Sequence, residues 1–316
     1  MGHDKLRKFA ENETFSCLLQ PSAEELLADG YFHLRDHAVK GRWNERFGNH
    51  NPIVLELGCG KEEYTVALAE RDLERNYIGV DIKGARLWKG AKYATEHALS
   101  NVAFLRTRVE FITAFFAPGE VSEIWLTFSD PQYRSENSRL SSPLFLERYR
   151  SFMKPGGIVH LKTDSRFLHE YTRAVCEANG LRILACTTDL YGTTGLYKAG
   201  AAVAPGNCAT LGIIRGGTAS EAQRWGPKDV SGGELPDGIQ PVVREVQTFY
   251  EQLFLEQGYP ITYLSFVIDH EGPFVSPRDP EQFDSKAWRA AEGPRLLFGH
   301  DSAETRRQKL HASETD

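Results

Sequence analysis

The sequence predicts an α/β fold in which a mostly parallel sheet carries helices on both faces. From residue 51 to about residue 187, short apolar runs alternate with amphipathic helical stretches, which is the pattern of repeated βα units. The first run opens into a Gly-x-Gly turn, and the second ends in an aspartate about twenty residues later. Together these observations favour a Rossmann-like fold.

Seven apolar runs are strand candidates and predict a seven-stranded sheet. They are Ile53–Leu57, Tyr77–Asp81, Val102–Leu105, Ile124–Phe128, Gly157–Thr163, Leu181–Cys186 and Ile261–Asp269. Between them, apolar residues recur at helical spacing, as in Leu87, Ala91 and Ala94. We interpret these stripes as core faces of helices.

A chain of 316 residues is long enough for one large domain with appendages, and the remaining segments are predicted to be those appendages. Residues 1–50 form an N-terminal extension that packs on the domain or on a ligand, and residues 51–270 form the domain itself. Within it, about residues 192–240 are rich in Gly, Ala, Pro and Thr and indicate an insertion. Residues 271–316 are polar and predict a partly flexible tail.

Composition restricts the classes of function. No run approaches the roughly 18 apolar residues of a membrane span, so we expect a cytoplasmic protein with no membrane partner. The five cysteines show no metal-type spacing, so we expect reduced thiols and no metal. A net charge of -6 disfavours a nucleic-acid partner unless a local basic face exists. The sequence leaves open whether the chain is a monomer or a homodimer.

The segment Ile53–Gly60 is a buried-strand run that ends in a ligand-binding type of turn. Gly58 and Gly60 would let a nucleoside approach the backbone closely, although a purely structural tight turn has the same pattern. Glu56 would be costly to bury at the end of this strand unless it is paired or hydrogen-bonded. A cationic amino-acid ligand would satisfy it.

Asp81 ends the next strand, at a spacing that suits a ribose diol. Capping of the helix that begins near Lys83 is the alternative role, and the two could coexist. A dinucleotide site favours a third glycine three positions beyond Gly60, where this chain has Glu63. S-adenosylmethionine has no phosphate and therefore fits the turn better than a nicotinamide dinucleotide does.

The peptide Phe128–Gln132 follows the apolar strand that begins at Val121, where the fourth strand of such a sheet would meet the ligand crevice. Pro131 restricts Asp130 to an extended conformation that could direct its carboxylate into the crevice. A plain Asp-Pro turn is the alternative interpretation.

This peptide resembles the Phe-x-Asp-Pro-Trp signature of the bacterial tRNA (guanine-N7)-methyltransferases, which are class I S-adenosylmethionine-dependent enzymes. Four other segments resemble motifs of that family in the same order, within about residues 40–187 and 244–268. They are Leu55–Lys61, Ile78–Asp81, His160–Asp164 and Thr248–Glu251.

The resemblance implies a role for each matching residue. It implies that Glu56, Asp81 and Asp130 bind the cofactor, with Asp130 also at the methyl-transfer site, and that Arg134, Asp164, Thr248 and Glu251 bind substrate. This chain departs from the family's pattern in four respects. Glu62 stands where a third glycine is common, Gln132 replaces a tryptophan, Thr107 occupies the place of an adenine-binding aspartate, and the insertion precedes Thr248.

The implied reaction is transfer of a methyl group to N7 of the variable-loop guanine of tRNA. Guanine N7 carries an in-plane lone pair, so the main task of the enzyme is alignment. Asp130, Asp164, Thr248 and Glu251 would hold the base through its donor edge.

A local basic rim would bind the RNA. The rim consists of Lys83, Arg86, Lys89, Lys92, Arg106, Arg108, Arg134 and Arg139. Lys40, Arg42 and Trp43 could add phosphate contacts and stacking.

Three alternatives remain open from the sequence. One is a nucleotide-binding oxidoreductase, and another is a methyltransferase fold retained only as an RNA-binding subunit. The third is a different Rossmann-fold RNA or small-molecule methyltransferase. Adenine-N6 and cytosine-N4 enzymes normally show a Pro-Pro-aromatic peptide, which Pro131-Gln-Tyr133 lacks.

Overall fold

A computed structural model describes residues 2–27, 33–60, 62–192, 240–278 and 281–292. Within these ranges, eight strands form one sheet. The strands are β1 (Leu18–Leu19), β2 (Ile53–Leu57), β3 (Asn76–Asp81), β4 (Val102–Arg106), β5 (Val121–Thr127), β6 (Met153–Thr163), β7 (Ile183–Thr187) and β8 (Thr262–Val267). The helices are α1 (Gly2–Asn12), α2 (Ala23–Leu26), α3 (Trp43–Phe47), α4 (Glu63–Arg71), α5 (Gly84–Glu96), α6 (Pro143–Arg150), α7 (Arg166–Ala178), α8 (Val242–Glu245), α9 (Phe249–Glu256) and α10 (Ser285–Glu292).

The strand order in the sheet is β1-β4-β3-β2-β5-β6-β8-β7. Strand β8 runs antiparallel to both β6 and β7, and the other neighbouring pairs are parallel. The predicted Rossmann-like α/β fold is therefore confirmed. Because the chain leaves β2 toward β3 and later returns to β5 on the other side, the order reverses between β2 and β5.

The core lies on both faces of this sheet. All five residues of β2 are buried, and its alternate residues pack into different clusters, Leu55 into one and Val54 into the other. Parallel strands that are covered on both faces read as continuous apolar runs, which explains why the bounds of β2 match the predicted ones.

The predicted number of seven strands is wrong for the described residues, because β1 adds an eighth. Leu18 and Leu19 pair in parallel with Phe104 and Leu105 of β4. A two-residue strand has no periodicity, so the sequence carries no signal for it.

The N-terminal extension packs on the domain. Asn12 donates to the carbonyl oxygen of Gly84 at 2.9 Å, and the indole N–H of Trp88 donates to Glu11 at 2.6 Å. Trp43 is fully buried and donates to the carbonyl oxygen of Phe115 at 2.9 Å. The prediction that Trp43 stacks on RNA is therefore wrong, because its ring belongs to the core.

The predicted partly flexible tail does not describe residues 285–292, which form α10 and bury Trp288 and Glu292 against the domain. The predicted insertion at about residues 192–240 lies, apart from its two end residues, outside the described residues. Within the described ranges, every helix is too short or too polar to cross a membrane.

Candidate active site at the switch point of the sheet

The reversal of strand order places two loops side by side at the carboxyl ends of β2 and β5. One is the glycine turn after Leu57, and the other is the Asp130 loop, which we define as residues 128–139. Leu140, just beyond that loop, contacts the turn: a methyl group built on Gly58 would lie 3.8 Å from its Cδ1. Crevices at such a switch point are the usual ligand sites of open α/β sheets.

The glycine turn has the backbone conformation that its sequence predicts. Gly58 and Gly60 have φ angles of 75° and 58°, in the left-handed region that side chains disfavour. The Gly58 N–H donates to the carbonyl oxygen of Val80 at 2.8 Å, which fixes the turn to β3. A Cβ on Gly60 would meet nothing closer than 4.0 Å. Since no other described residue lies closer, the space beside Gly60 can admit a ligand.

Asp81 joins the glycine turn to the start of α5. Its Oδ2 accepts the N–H of Gly60 at 3.1 Å, and its Oδ1 accepts the N–H of Lys83 at 2.7 Å. The guanidinium of Arg86 lies 3.9 Å from Oδ2. Asp81 thus holds the residue that precedes α5 and does not accept from an amide of the helix itself, and contact with a ribose stays a prediction.

Glu56 is buried at the end of β2 and hydrogen-bonded within the protein. Oε2 accepts the N–H of Thr65 at 2.8 Å and also its hydroxyl, and Oε1 accepts the hydroxyl of Thr127. Burial raises the pKa of Glu56 to about 7, against the opposing effect of the hydrogen bonds from Thr127 and Thr65. The carboxyl group is therefore satisfied without a ligand, and near neutral pH it can exist in either protonation state.

Glu62, at the position where a third glycine is common, keeps the left-handed conformation with a φ of 65°. Its side chain is fully buried against α5, where a Cβ on Gly90 would lie 1.9 Å from Oε2. The oxygens lie beside the amides of Gly90 and Ala91 without a hydrogen bond of ordinary geometry. Burial raises the pKa of Glu62 well above its ordinary value. The side chain of Glu62 therefore requires a glycine at position 90 of α5.

The Asp130 loop is strained at both sides of Asp130. Phe128 and Gln132 each have a φ of 48°, which is unfavourable for residues with a Cβ. Asp130 is exposed, and its Oδ1 accepts the N–H of Gln132 at 2.9 Å. The carboxylate of Asp130 thus closes a turn over Pro131, as the alternative interpretation expected, and its contact with a ligand stays a prediction. Arg134 is exposed in the same loop.

Two buried hydroxyl groups that follow the carboxyl ends of strands lack a hydrogen-bond partner among the described residues. They belong to Thr107, after β4, and Ser129, after β5. Ile82, next to Asp81, is by contrast 52% exposed although it is a large apolar residue. The two hydroxyl groups are available to polar atoms of a ligand, and the exposed Ile82 side chain is available to an apolar ring. Sequence reasoning missed Ser129 and Ile82, whose only signal was their position after a strand.

Asp164 is half-buried between β6 and α7, so it lies at the same edge of the sheet as Asp130. Thr248 and Glu251 form a reciprocal capping box at the start of α9. The N–H of Glu251 donates to Thr248 Oγ1 at 3.2 Å, and the N–H of Thr248 donates to Glu251 Oε2 at 3.4 Å. The N–H of Phe249 donates to Glu63 of α4 at 2.7 Å, which places this motif beside the helix that follows the glycine turn.

The carboxylate of Glu251 is fully buried in an ion pair. Its Oε1 lies 2.7 Å from the ammonium of Lys162 in β6 and accepts the hydroxyl of Tyr191 at 2.6 Å. The ammonium of Lys162 also donates to the carbonyl oxygens of Val243 at 2.6 Å and Val246 at 2.8 Å. Burial lowers the pKa of Lys162 and raises that of Glu251, while their mutual attraction opposes both shifts. This pair anchors the 243–251 segment to the sheet.

Comparison with known proteins bears on the same residues. A family model described as a putative methyltransferase matches residues 50–191. A tRNA (guanine-N(7)-)-methyltransferase from Christiangramia forsetii is 44% identical over 268 residues, which cover 84% of this chain and 98% of that relative. The chain belongs to the tRNA (guanine-N7)-methyltransferase family. Family members from Bacteroides thetaiotaomicron and Porphyromonas gingivalis are 39% and 41% identical, over 88% and 77% of this chain and 90% and 82% of the relatives.

Family membership confirms the resemblance inferred from the sequence, whereas the assigned site residues stay predictions. One member of the basic rim is corrected. Arg139 is only 5% exposed and lies 4.7 Å and 4.3 Å from the ring centroids of Phe167 and Tyr171, so it is a packing residue. Its guanidinium cannot contact RNA from this position.

Several other basic side chains are paired within the protein but reach the surface. Lys89 lies 3.6 Å from Glu63, and Arg108 lies 3.1 Å from Glu110. In the N-terminal extension, Lys40 and Arg42 pair with Asp36 at 2.6 Å and Glu45 at 2.7 Å. Exposed pairs of this kind contribute little to stability and can exchange partners for a phosphate.

Proposed function

We propose that this protein transfers the methyl group of S-adenosylmethionine to N7 of the variable-loop guanine in tRNA. The observation that carries the proposal is the Asp130 loop, strained and exposed, beside an open glycine turn at the switch point of the sheet. Family membership supports the same reaction, because the relatives are named for it.

The residues around the glycine turn fit S-adenosylmethionine. The open space over Gly60 admits a nucleoside, and Asp81 is suited to its ribose diol. The orphaned hydroxyl of Thr107 and the exposed side chain of Ile82 suit the polar edge and the face of an adenine. Glu56 would hold the amino group once its carboxyl is ionised. When bound, this cofactor supplies an electrophilic methyl group on a sulfonium.

The protein's own contribution to the reaction is alignment. Because guanine N7 already presents a lone pair, no base is needed to remove a proton before methyl transfer. Asp130 and Asp164 are suited to accept hydrogen bonds from the N1–H and the exocyclic amine of guanine. One oxygen of Asp130 takes the Gln132 N–H, which leaves Oδ2 for the base. We assign Thr248 and Glu251 to bracing, since the carboxylate of Glu251 is saturated and buried.

The tRNA backbone would lie across the exposed and half-buried basic side chains of the predicted rim. These are Lys83, Arg86, Lys89, Lys92, Arg106, Arg108 and Arg134. Because the protein has a net charge of -6, tRNA binding depends on this local basic face and should weaken as the salt concentration rises.

Nucleoside analysis of unmodified tRNA after incubation with enzyme and cofactor tests the proposal. We expect 7-methylguanosine with the wild type, and a strong loss of turnover in a folded Asp130→Ala variant. Glu74→Gln is the matched control, because that exposed carboxylate lies in the turn before β3, at the opposite edge of the sheet. A folded Asp130→Ala protein with full activity would overturn the assignment, as would calorimetry that shows binding of NAD and none of S-adenosylmethionine.

A further inference from the structure

Helix α10 packs against the amino end of α7, close to the Asp130 loop. Trp288 is only 7% exposed, and its ring lies 5.6 Å from that of Phe167. Phe283, just before the helix, contacts the ring of Tyr171 edge-on at 5.5 Å. Phe167 also contacts Tyr133 of the Asp130 loop at 4.9 Å. Residues 283–288 therefore share one aromatic cluster with the Asp130 loop.

Glu292, at the end of α10, is buried, with only 6% of its surface exposed. Its Oε1 accepts the N–H of Phe167 at 2.7 Å. Its Oε2 accepts the hydroxyl of Ser165 at 2.9 Å and the phenolic hydroxyl of Tyr133. Glu292 thus lies at the amino end of the 13-residue helix α7, where the helix dipole favours a negative charge.

The partners of Glu292 come from the two loops that carry the proposed base-binding carboxylates. Ser165 directly follows Asp164, and Tyr133 lies three residues after Asp130. One side chain thus fixes one loop to the other. The Asp130 loop requires such support, because a backbone with two left-handed non-glycine residues persists only when its surroundings hold it.

We propose that Glu292 is a positioning residue for methyl transfer, acting through Tyr133 and Ser165 to fix the Asp130 loop relative to Asp164. This inference rests on the proposed function. It requires that loss of the contact lowers kcat more than it weakens binding, because misplacement by about 1 Å of an aligning group can slow a reaction by about 100-fold. For loss of one of the three contacts of Glu292, we expect kcat to fall about tenfold.

Single and double variants test the inference. Tyr133→Phe removes one hydrogen bond and keeps the ring against Phe167, and Glu292→Gln removes the charge while one oxygen can still accept. We expect each to lower kcat about tenfold, with KM for tRNA and Kd for S-adenosylmethionine changed less than twofold. The double variant should lose less than the product of the single losses, since the contact between Tyr133 and Glu292 is common to both variants. Arg289→Ala, on the exposed face of α10, is the matched control and should behave as wild type.

Two results would overturn the inference: a Tyr133→Phe enzyme with wild-type kcat, or a double variant whose loss is the product of the single losses. Hydrogen–deuterium exchange of the Tyr133→Phe protein gives a readout that needs no substrate. Exchange should accelerate in peptides covering both residues 129–135 and residues 164–168, and unchanged exchange in either peptide would equally refute it. A wild type that leaves tRNA unmethylated would contradict the proposed function, and the exchange result would then decide the inference alone.

Discussion

Replacement of Glu251 by glutamine tests whether this family-motif residue braces the fold or contacts the base. The substitution keeps the shape of the side chain but leaves the buried ammonium of Lys162 without its counter-charge. Removal of one partner from a buried ion pair costs about 3–5 kcal/mol. We expect the lower end, about 3 kcal/mol, because two carbonyl oxygens still accept from Lys162 and Tyr191 can still donate to the amide oxygen.

Urea unfolding monitored by circular dichroism measures this loss of free energy of unfolding. Glu256→Gln is the matched control, because that carboxylate lies exposed on the same helix α9 and its replacement should leave stability within about 0.5 kcal/mol. Lys162→Met should be at least as destabilising as Glu251→Gln, since it leaves a buried carboxylate unpaired and removes the donor to Val243 and Val246. The double variant should lose about 2 kcal/mol less than the sum of the single losses, because no lone charge stays buried.

The bracing interpretation also predicts how activity responds. At temperatures where Glu251→Gln remains folded, its KM for tRNA should stay close to that of wild type. The bracing interpretation would be refuted if Glu251→Gln is as stable as wild type to within about 1 kcal/mol and yet strongly impaired in methyl transfer. That result would return Glu251 to the substrate-binding role implied by the family resemblance.

Three further predictions concern the cofactor turn and the basic rim. Because its pKa is about 7, Glu56 contributes about 3 kcal/mol to the stability of the ligand-free protein below about pH 4.5, and this contribution is lost as the pH rises through 7. Chemical unfolding of wild type and Glu56→Gln across this pH range measures the loss. Gly90→Ala should destabilise the fold by about 1–3 kcal/mol through overlap with Glu62, and addition of Glu62→Gly should restore thermal stability. Arg134→Ala should reduce the salt dependence of tRNA binding by about one phosphate contact, whereas Arg139→Ala should lower the melting temperature and leave that slope unchanged.

Strands β2, β3 and β4 were predictable because nearly all of their residues are buried, so that each reads as an apolar run. The bounds of β2 agree with the prediction at both ends, and β3 and β4 differ from it by one residue at one end. Strand β1 and helix α10 were not predictable. The first has two residues, and the second buries Trp288 and Glu292 in a segment whose composition is otherwise polar.

Partners of the buried charges were the least predictable part of the site. The spacing of Thr248 and Glu251 is a capping-box signature, so their mutual hydrogen bonds could be inferred from the sequence. The ion pair between Glu251 and Lys162 could not, because 89 positions separate the two residues and only the tertiary structure brings them together. Likewise, nothing near Arg139 in the sequence indicates the aromatic rings of Phe167 and Tyr171.

Burial and hydrogen bonding divide the acidic residues of this site into two groups. Glu251 and Glu292 are buried, and their oxygens accept hydrogen bonds or ion pairs from distant segments. Asp130 is exposed, and Asp164 is half-buried. Because desolvation of a carboxylate is costly, a saturated buried group has little further affinity for a base, whereas an exposed one gains from a new donor. On the proposed function, we therefore expect Asp130, rather than Glu251 or Glu292, to recognise guanine. Asp164 is the predicted second contact, and the two buried glutamates are expected to act as braces.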